Sequence, residues 1–167
     1  MVSLFNRLDP QEQKVLDNIR DHGCQVQFVF DEAGFEPDFS YSIGFPATVE
    51  QPEVIVFGLN RELMTSMVNE VWRQAADEGL VLEDGKRISG LIEGFDCIAR
   101  EITEPKAIRD HFGWATWYHR SQRGEAVERA FQLVWPGAKQ GLFPWESGCA
   151  EEVIEMQPAL FARGTSH

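Results

Sequence analysis

Residues 39–45 read Phe39-Ser-Tyr-Ser-Ile-Gly-Phe45, and residues 52–59 read Pro52-Glu-Val-Ile-Val-Phe-Gly-Leu59. In the first string Phe39, Tyr41, Ile43 and Phe45 share one face of an extended chain, while Ser40 and Ser42 share the other. That is the period of two expected of a strand. The small serines fit either under a closely packed neighbour or on an outer face. The second string is apolar without alternation from Val54 onward, the pattern of a strand covered on both sides. A chain carrying both strings must build a sheet around them, with the second strand central.

The remaining elements fall into place around that pair. Asp9, Pro10 and Glu12 read as helix cap, first helical position and capping-box carboxylate, and Gly23 is the stop signal. A strand is expected over residues 24–30, and a turn over residues 32–38 joins it to the strand at Phe39. Residues 46–52 read as a loop. Asn60 caps a second helix that buries Leu63, Met64, Met67, Val68, Val71, Trp72 and Ala75 and ends at Gly79. Asp84-Gly85 reads as a hairpin turn, residues 95–103 as a strand, and residues 105–118 as one helix interrupted only by Gly113. Residues 126–135 read as a strand, residues 143–145 as a short return, and residues 153–161 as an edge segment or loop because of Pro158. The expected fold is α+β: one domain over residues 1–167, with about six mostly antiparallel strands and two to three helices.

Charge restricts the function. The net charge is −12 over 167 residues, and it is unevenly placed. Between Arg20 and Arg61 there is no Lys or Arg, but there are Asp21, Asp31, Glu32, Glu36, Asp38, Glu50 and Glu53. A second basic-free stretch lies between Lys139 and Arg163. Such faces repel phosphate, which argues against nucleic acid and anionic membranes as partners. They serve either as solvated, solubilising loops or as a docking surface for a basic partner. Residues 1–7 hold no apolar core of signal-peptide length, and no apolar run approaches membrane-spanning length. Cys24, Cys97 and Cys149 are odd in number and widely spaced, so reduced thiols in the cytoplasm are expected.

Catalytic patterns are sparse. The histidines are His22, His111, His119 and His167, with no metal-binding spacing; His111 and His119 on one helix would sit about 12 Å apart. No nucleophile elbow or phosphate loop occurs. No metal, cofactor or catalytic residue is therefore assigned. Two polar groups stand out. Glu53 opens a buried strand, where a carboxylate is costly unless paired, and the Tyr41 hydroxyl needs a partner if buried. Together they form a structural hydrogen bond or the polar contacts of a ligand site. Trp114, Trp117, Tyr118, Trp135, Phe143 and Trp145 bunch in the last third, with Pro136 and Pro144 between the later ones. They read as a second apolar cluster or as a Trp/Pro-framed pocket.

Gly23, Tyr41, Ile43, Gly44, Pro52, Glu53, Gly58, Gly85, Trp135-Pro136, Pro144-Trp145 and Gln157-Pro158 occur in the order of one bacterial family, domain of unknown function 4262. The chain resembles that family over nearly its whole length. The resemblance implies a fold but no reaction. Family members often carry an aspartate after the Trp-Pro pair where this chain has Gly137, which weakens an enzymatic reading. The element order also resembles small split barrels that bind flavin mononucleotide. Those hold the phosphate with Arg, Lys, Ser or Thr, and the first three strands here contain no basic residue.

Three functions remain, one of them a purely structural or regulatory homo-oligomer. The first is an acidic cytosolic binding module without an active site, an immunity-type protein for a basic toxin or other basic protein. Its contact residues would be drawn from Asp31, Glu32, Glu36, Asp38, Tyr41, Glu53, Trp135 and Trp145. The second is a small-molecule or flavin-type enzyme with a pocket near Tyr41 and Trp145.

Overall fold

The structure is a computed structural model describing residues 8–162. Residues 1–7 and His167, both considered above, lie outside the described residues. Helix α1 (Pro10–His22) starts at the expected capping box: Asp9 accepts from the Glu12 amide and Glu12 returns a bond to the Asp9 amide. Strands β1 (Gln25–Val29) and β2 (Phe39–Ile43) follow, then a short helix α2 (Phe45–Thr48) where a loop was expected. Next come β3 (Glu53–Phe57) and the long helix α3 (Arg61–Glu78), capped by the Asn60 side chain.

The second half carries three corrections. Strands β4 (Lys86–Ile92) and β5 (Phe95–Glu101) form the hairpin, but its reversal lies between Ile92 and Phe95, at Glu93-Gly94. The turn at Asp84-Gly85 precedes the hairpin; there Asp84 accepts from the Glu101 amide and Arg100 Nε. The helix expected over residues 105–118 is two helices, α4 (Pro105–His111) and α5 (Gly113–Tyr118), followed by a π-helical turn His119–Arg123. Phe112, with ψ of 47°, is the break between them. After β6 (Ala130–Val134), residues 143–145 form no strand, and a last short helix α6 (Glu151–Glu155) precedes the tail. The helices thus number six besides the π turn among the described residues, more than expected.

The sheet order is β1-β2-β3-β6-β5-β4. Each half of the chain supplies an antiparallel three-strand meander, and the two meet along the parallel β3–β6 pair. The sheet is open, with β1 and β4 as edges. Every β3 residue is buried, as the unbroken apolar run predicts. Val54 and Val56 face α3 through Met64, Met67, Val68 and Val71. Ile55 and Phe57 face the opposite layer of α1, α4 and α5. Burial of each such side chain contributes about 1.5–3 kcal/mol, so β3 is the spine of both cores.

Ser40 and Ser42 are fully buried, so the serine face lies under another layer, not in solvent. The tail is held by side-chain amides acting as strand partners. Gln132 donates to Pro158 O and accepts from the Leu160 amide, while Gln157 makes the same two-way pairing with the Trp135 backbone. Ile102 and Phe161 then form an isolated antiparallel bridge.

Candidate functional site

The best-organised polar group in the molecule is the Glu53 carboxylate, which is 0% exposed. Oε1 accepts from Ser42 Oγ at 2.6 Å and from the Phe45 amide at 3.1 Å. Oε2 accepts from the Gly44 amide at 2.8 Å and pairs with His119 Nε2 at 2.7 Å. Ser42 Oγ also accepts from the Val54 amide, so its own proton is free to go to Glu53. These four donors fill the roughly four lone-pair positions of a carboxylate.

Local sequence explains the cradle. Gly44 has φ of 109°, a left-handed conformation open to glycine, and it turns the Gly44 and Phe45 amides onto the carboxylate. A Cβ there would also lie 3.0 Å from the Ile19 side chain. On the far side, the π turn that follows α5 begins at His119 and sets its ring over Glu53. Tyr118 packs edge-on against that ring at 5.1 Å.

Nε2 is the ring nitrogen that His119 turns to the carboxylate. His119 is only 2% exposed, and Nδ1 has no hydrogen bond to a described residue. Its ring forms part of the wall of a cleft of about 400 Å³. Pro46, Pro52, Ala126 and Val127 line the same cleft, together with Glu50, Glu125 and Glu128. Glu50 has φ of 56°, the one positive value at a non-glycine among the described residues.

The expected site residues separate into distinct places. Tyr41 does not meet Glu53: its hydroxyl accepts from the Trp114 amide at 2.8 Å, satisfying an otherwise unpaired donor at the start of α5. Burial pushes the Tyr41 phenol up to about 12, the Trp114 bond opposes that shift, and the nearby Glu53 charge adds to it. Trp135 is buried, and its indole N–H donates to Phe57 O at 2.7 Å. Trp145 stacks on Phe143 at 5.2 Å, with Arg100 4.8 Å from its ring centroid. Tyr41, Trp135 and Trp145 belong to three separate apolar clusters.

The four acidic loop residues do stay together. Asp31 is not a free solvated charge, however. Its carboxylate accepts from the amides of Ala33, Phe35 and Glu36 at 3.0–3.2 Å and so builds the β1–β2 turn. Glu32, Glu36 and Asp38 are exposed around it. Phe35 is 88% exposed on this turn and Phe30 is 56% exposed at its entrance. Phe30 continues a stack through Phe28 to Arg61.

Sequence reasoning anticipated that Glu53 needs a partner but missed His119 and Ser42. The demand for compensation was visible at Glu53; the histidine that meets it is 66 positions away. The two exposed phenylalanines were also missed; the strand expected over residues 24–30 takes in Phe30, which lies just past the end of β1.

Among the described residues no helix is long and apolar enough to cross a membrane, and no group of three or more His, Cys, Asp or Glu is placed to hold a metal ion. No curated protein and no solved structure matches the chain. A family model does match, over residues 18–150, a span that takes in β1 to β6, the Glu53–His119 pair and the acidic turn. The chain therefore belongs to the family described as Domain of unknown function (DUF4262).

Proposed function

We propose that the protein is an acidic binding module of the bacterial cytoplasm, which docks a basic protein partner through the β1–β2 turn in the manner of an immunity protein. The observation that carries this reading is Phe35, 88% exposed on a turn whose shape is fixed by three bonds to Asp31. An aromatic ring held in water on an ordered loop has no folding role to account for it, and burying it against a partner gains apolar area at little ordering cost. Glu32, Glu36 and Asp38 are exposed on the same turn and give it negative charge. Charge of one sign selects a partner of the other and accelerates its approach. The neighbouring edge strand β1 has one unpaired side, which extends the available surface.

Selection from a displayed library of random peptides tests this. Binders should be enriched in Lys or Arg beside an apolar residue, and Phe35→Ser should abolish their retention while leaving the circular dichroism spectrum unchanged. Enrichment of neutral or acidic peptides, or binders indifferent to Phe35, would overturn the reading.

A further inference from the structure

We propose that β1 is a docking edge, to which an extended basic segment of the partner adds as a further strand. This names how the partner of the acidic turn is held, and it rests on that reading. The two edges of the sheet, β1 and β4, are built differently. Native sheets blunt an edge with charged side chains, irregular pairing or a covering element, because a regular unpaired strand is a template for another chain. β4 has all three. Lys86 and Arg87 are exposed at its start, its register against β5 shifts between Ile88 and Ile92, and Gln74 of α3 donates to Ser89 O at 2.8 Å. Gly90, at φ of 84°, sits in that irregularity.

β1 has none of these. Its sequence, Gln25-Val-Gln-Phe-Val29, holds no charge, proline or glycine, and it pairs with β2 in unbroken register over all five residues. Beyond that ladder no amide of residues 25–29 donates to a described residue, which leaves the alternate, outward-facing amides free. The one side-chain bond to this backbone among the described residues, from Gln27 Nε2 to Phe28 O, is long at 3.5 Å, and Gln27 Oε1 is sealed without a partner. Charge selects the occupant. A second copy of this chain would bring a net charge of −12 against itself. A basic segment instead places cations beside Glu32, Glu36 and Asp38 on the turn that continues β1. Its alternate, apolar side chains then lie near Phe30, which is 56% exposed.

The test adds an alternating Lys–Val heptapeptide to the 15N-labelled full chain and follows amide hydrogen exchange. An alternating Lys–Pro heptapeptide is the control, with the same charge but no capacity to pair as a strand. With Lys–Val at about ten times its Kd, exchange of alternate amides within residues 25–29 should slow about ten-fold, and β4 should be unaffected. Lys–Pro should bind at least about ten-fold more weakly, having lost the backbone bonds. Binding abolished by Phe35→Ser but without protection in β1, or equal affinity for Lys–Pro, would overturn the strand pairing while leaving the turn as the docking site. Protection in β1 that rises with protein concentration alone would assign the edge to a second copy and overturn it too. So would the absence of saturable Lys–Val binding at millimolar concentration, whereas the reading of the turn stands or falls separately, on the peptide selection.

Discussion

His119 Nε2 lies 2.7 Å from Glu53 Oε2, joining the turn after α5 to the first residue of the central strand. Both groups are almost completely withdrawn from water, with side-chain exposures of 3% and 0%. A buried charge of this kind is tolerated only when its hydrogen bonds are complete, and here Ser42, Gly44 and Phe45 complete them. The cradle is therefore a structural pin, and its His119 also lines the cleft.

Glu53→Gln turns one acceptor oxygen into an N–H donor facing two existing donors. Breaking a buried pair in this way costs about 3–5 kcal/mol. Urea denaturation should show that loss. A change below about 1 kcal/mol would mean that the four bonds to Glu53 contribute little to the fold.

Gly23 and Trp72 should be energetically coupled. Gly23 ends α1 at φ of 92°, and a Cβ there would fall 2.1 Å from Trp72 Cζ2. The indole N–H also donates to Thr48 Oγ1, which itself donates to Gly23 O. Trp72→Ala should cost about 3 kcal/mol, the low end for a large aromatic, because the ring is only half-buried. Gly23→Ala should cost more than the roughly 1–2 kcal/mol of a left-handed alanine in the wild-type chain, and about that amount in the Trp72→Ala background. Additivity within about 0.5 kcal/mol in the double-mutant cycle would show that the ring moves aside freely.

Stability should fall with rising pH from about pH 9 upward. Burial pushes the Cys24, Cys97 and Tyr41 groups up to about 12, from ordinary values of 9.0 for the thiols and 10.0 for the phenol. Between those limits the unfolded chain releases protons that the folded chain retains, so each step in pH favours unfolding. The contribution of these groups is complete below pH 9 and lost progressively toward pH 12. Urea midpoints measured across that range give the check. A flat profile would mean that the thiols and the phenol ionise within the fold.

Much of this architecture is legible in local patterns. The capping box at Asp9 and Glu12, the Asn60 cap, the serine-backed strand and the continuous apolar run of β3 each state their own structure. Failures came where a distant contact decides. The helix expected through Tyr118 breaks at Phe112, whose ring packs 5.3 Å from Tyr41, and the Tyr41 hydroxyl supplies the acceptor that lets a new helix begin. The hairpin reversal sits at Glu93-Gly94 because Asp84, the better turn residue, is used to bind the far end of β5. The same limit hid His119, for nothing around it in the sequence marks a histidine that will cover Glu53.

The acidic turn can be tested without disturbing its shape. Glu32→Gln/Glu36→Gln/Asp38→Asn removes exposed charge and spares Asp31, whose carboxylate is needed by three backbone amides. The fold should be indifferent, because exposed charges contribute little to stability. Its melting temperature should stay within a few degrees of wild type; a larger loss would mean that these side chains hold the turn.

The most direct measurement is the rate at which a basic peptide selected for binding associates with and leaves three proteins: wild type, the triple amide variant and Phe35→Ser. At low salt the amide variant should associate more slowly, with the difference shrinking as the screening length falls toward about 8 Å at physiological ionic strength. Phe35→Ser should associate at nearly the wild-type rate and dissociate much faster, as loss of a buried aromatic anchor requires. Unchanged association in the amide variant at low salt, together with unchanged dissociation in Phe35→Ser, would contradict the account and leave the turn as a solubilising surface.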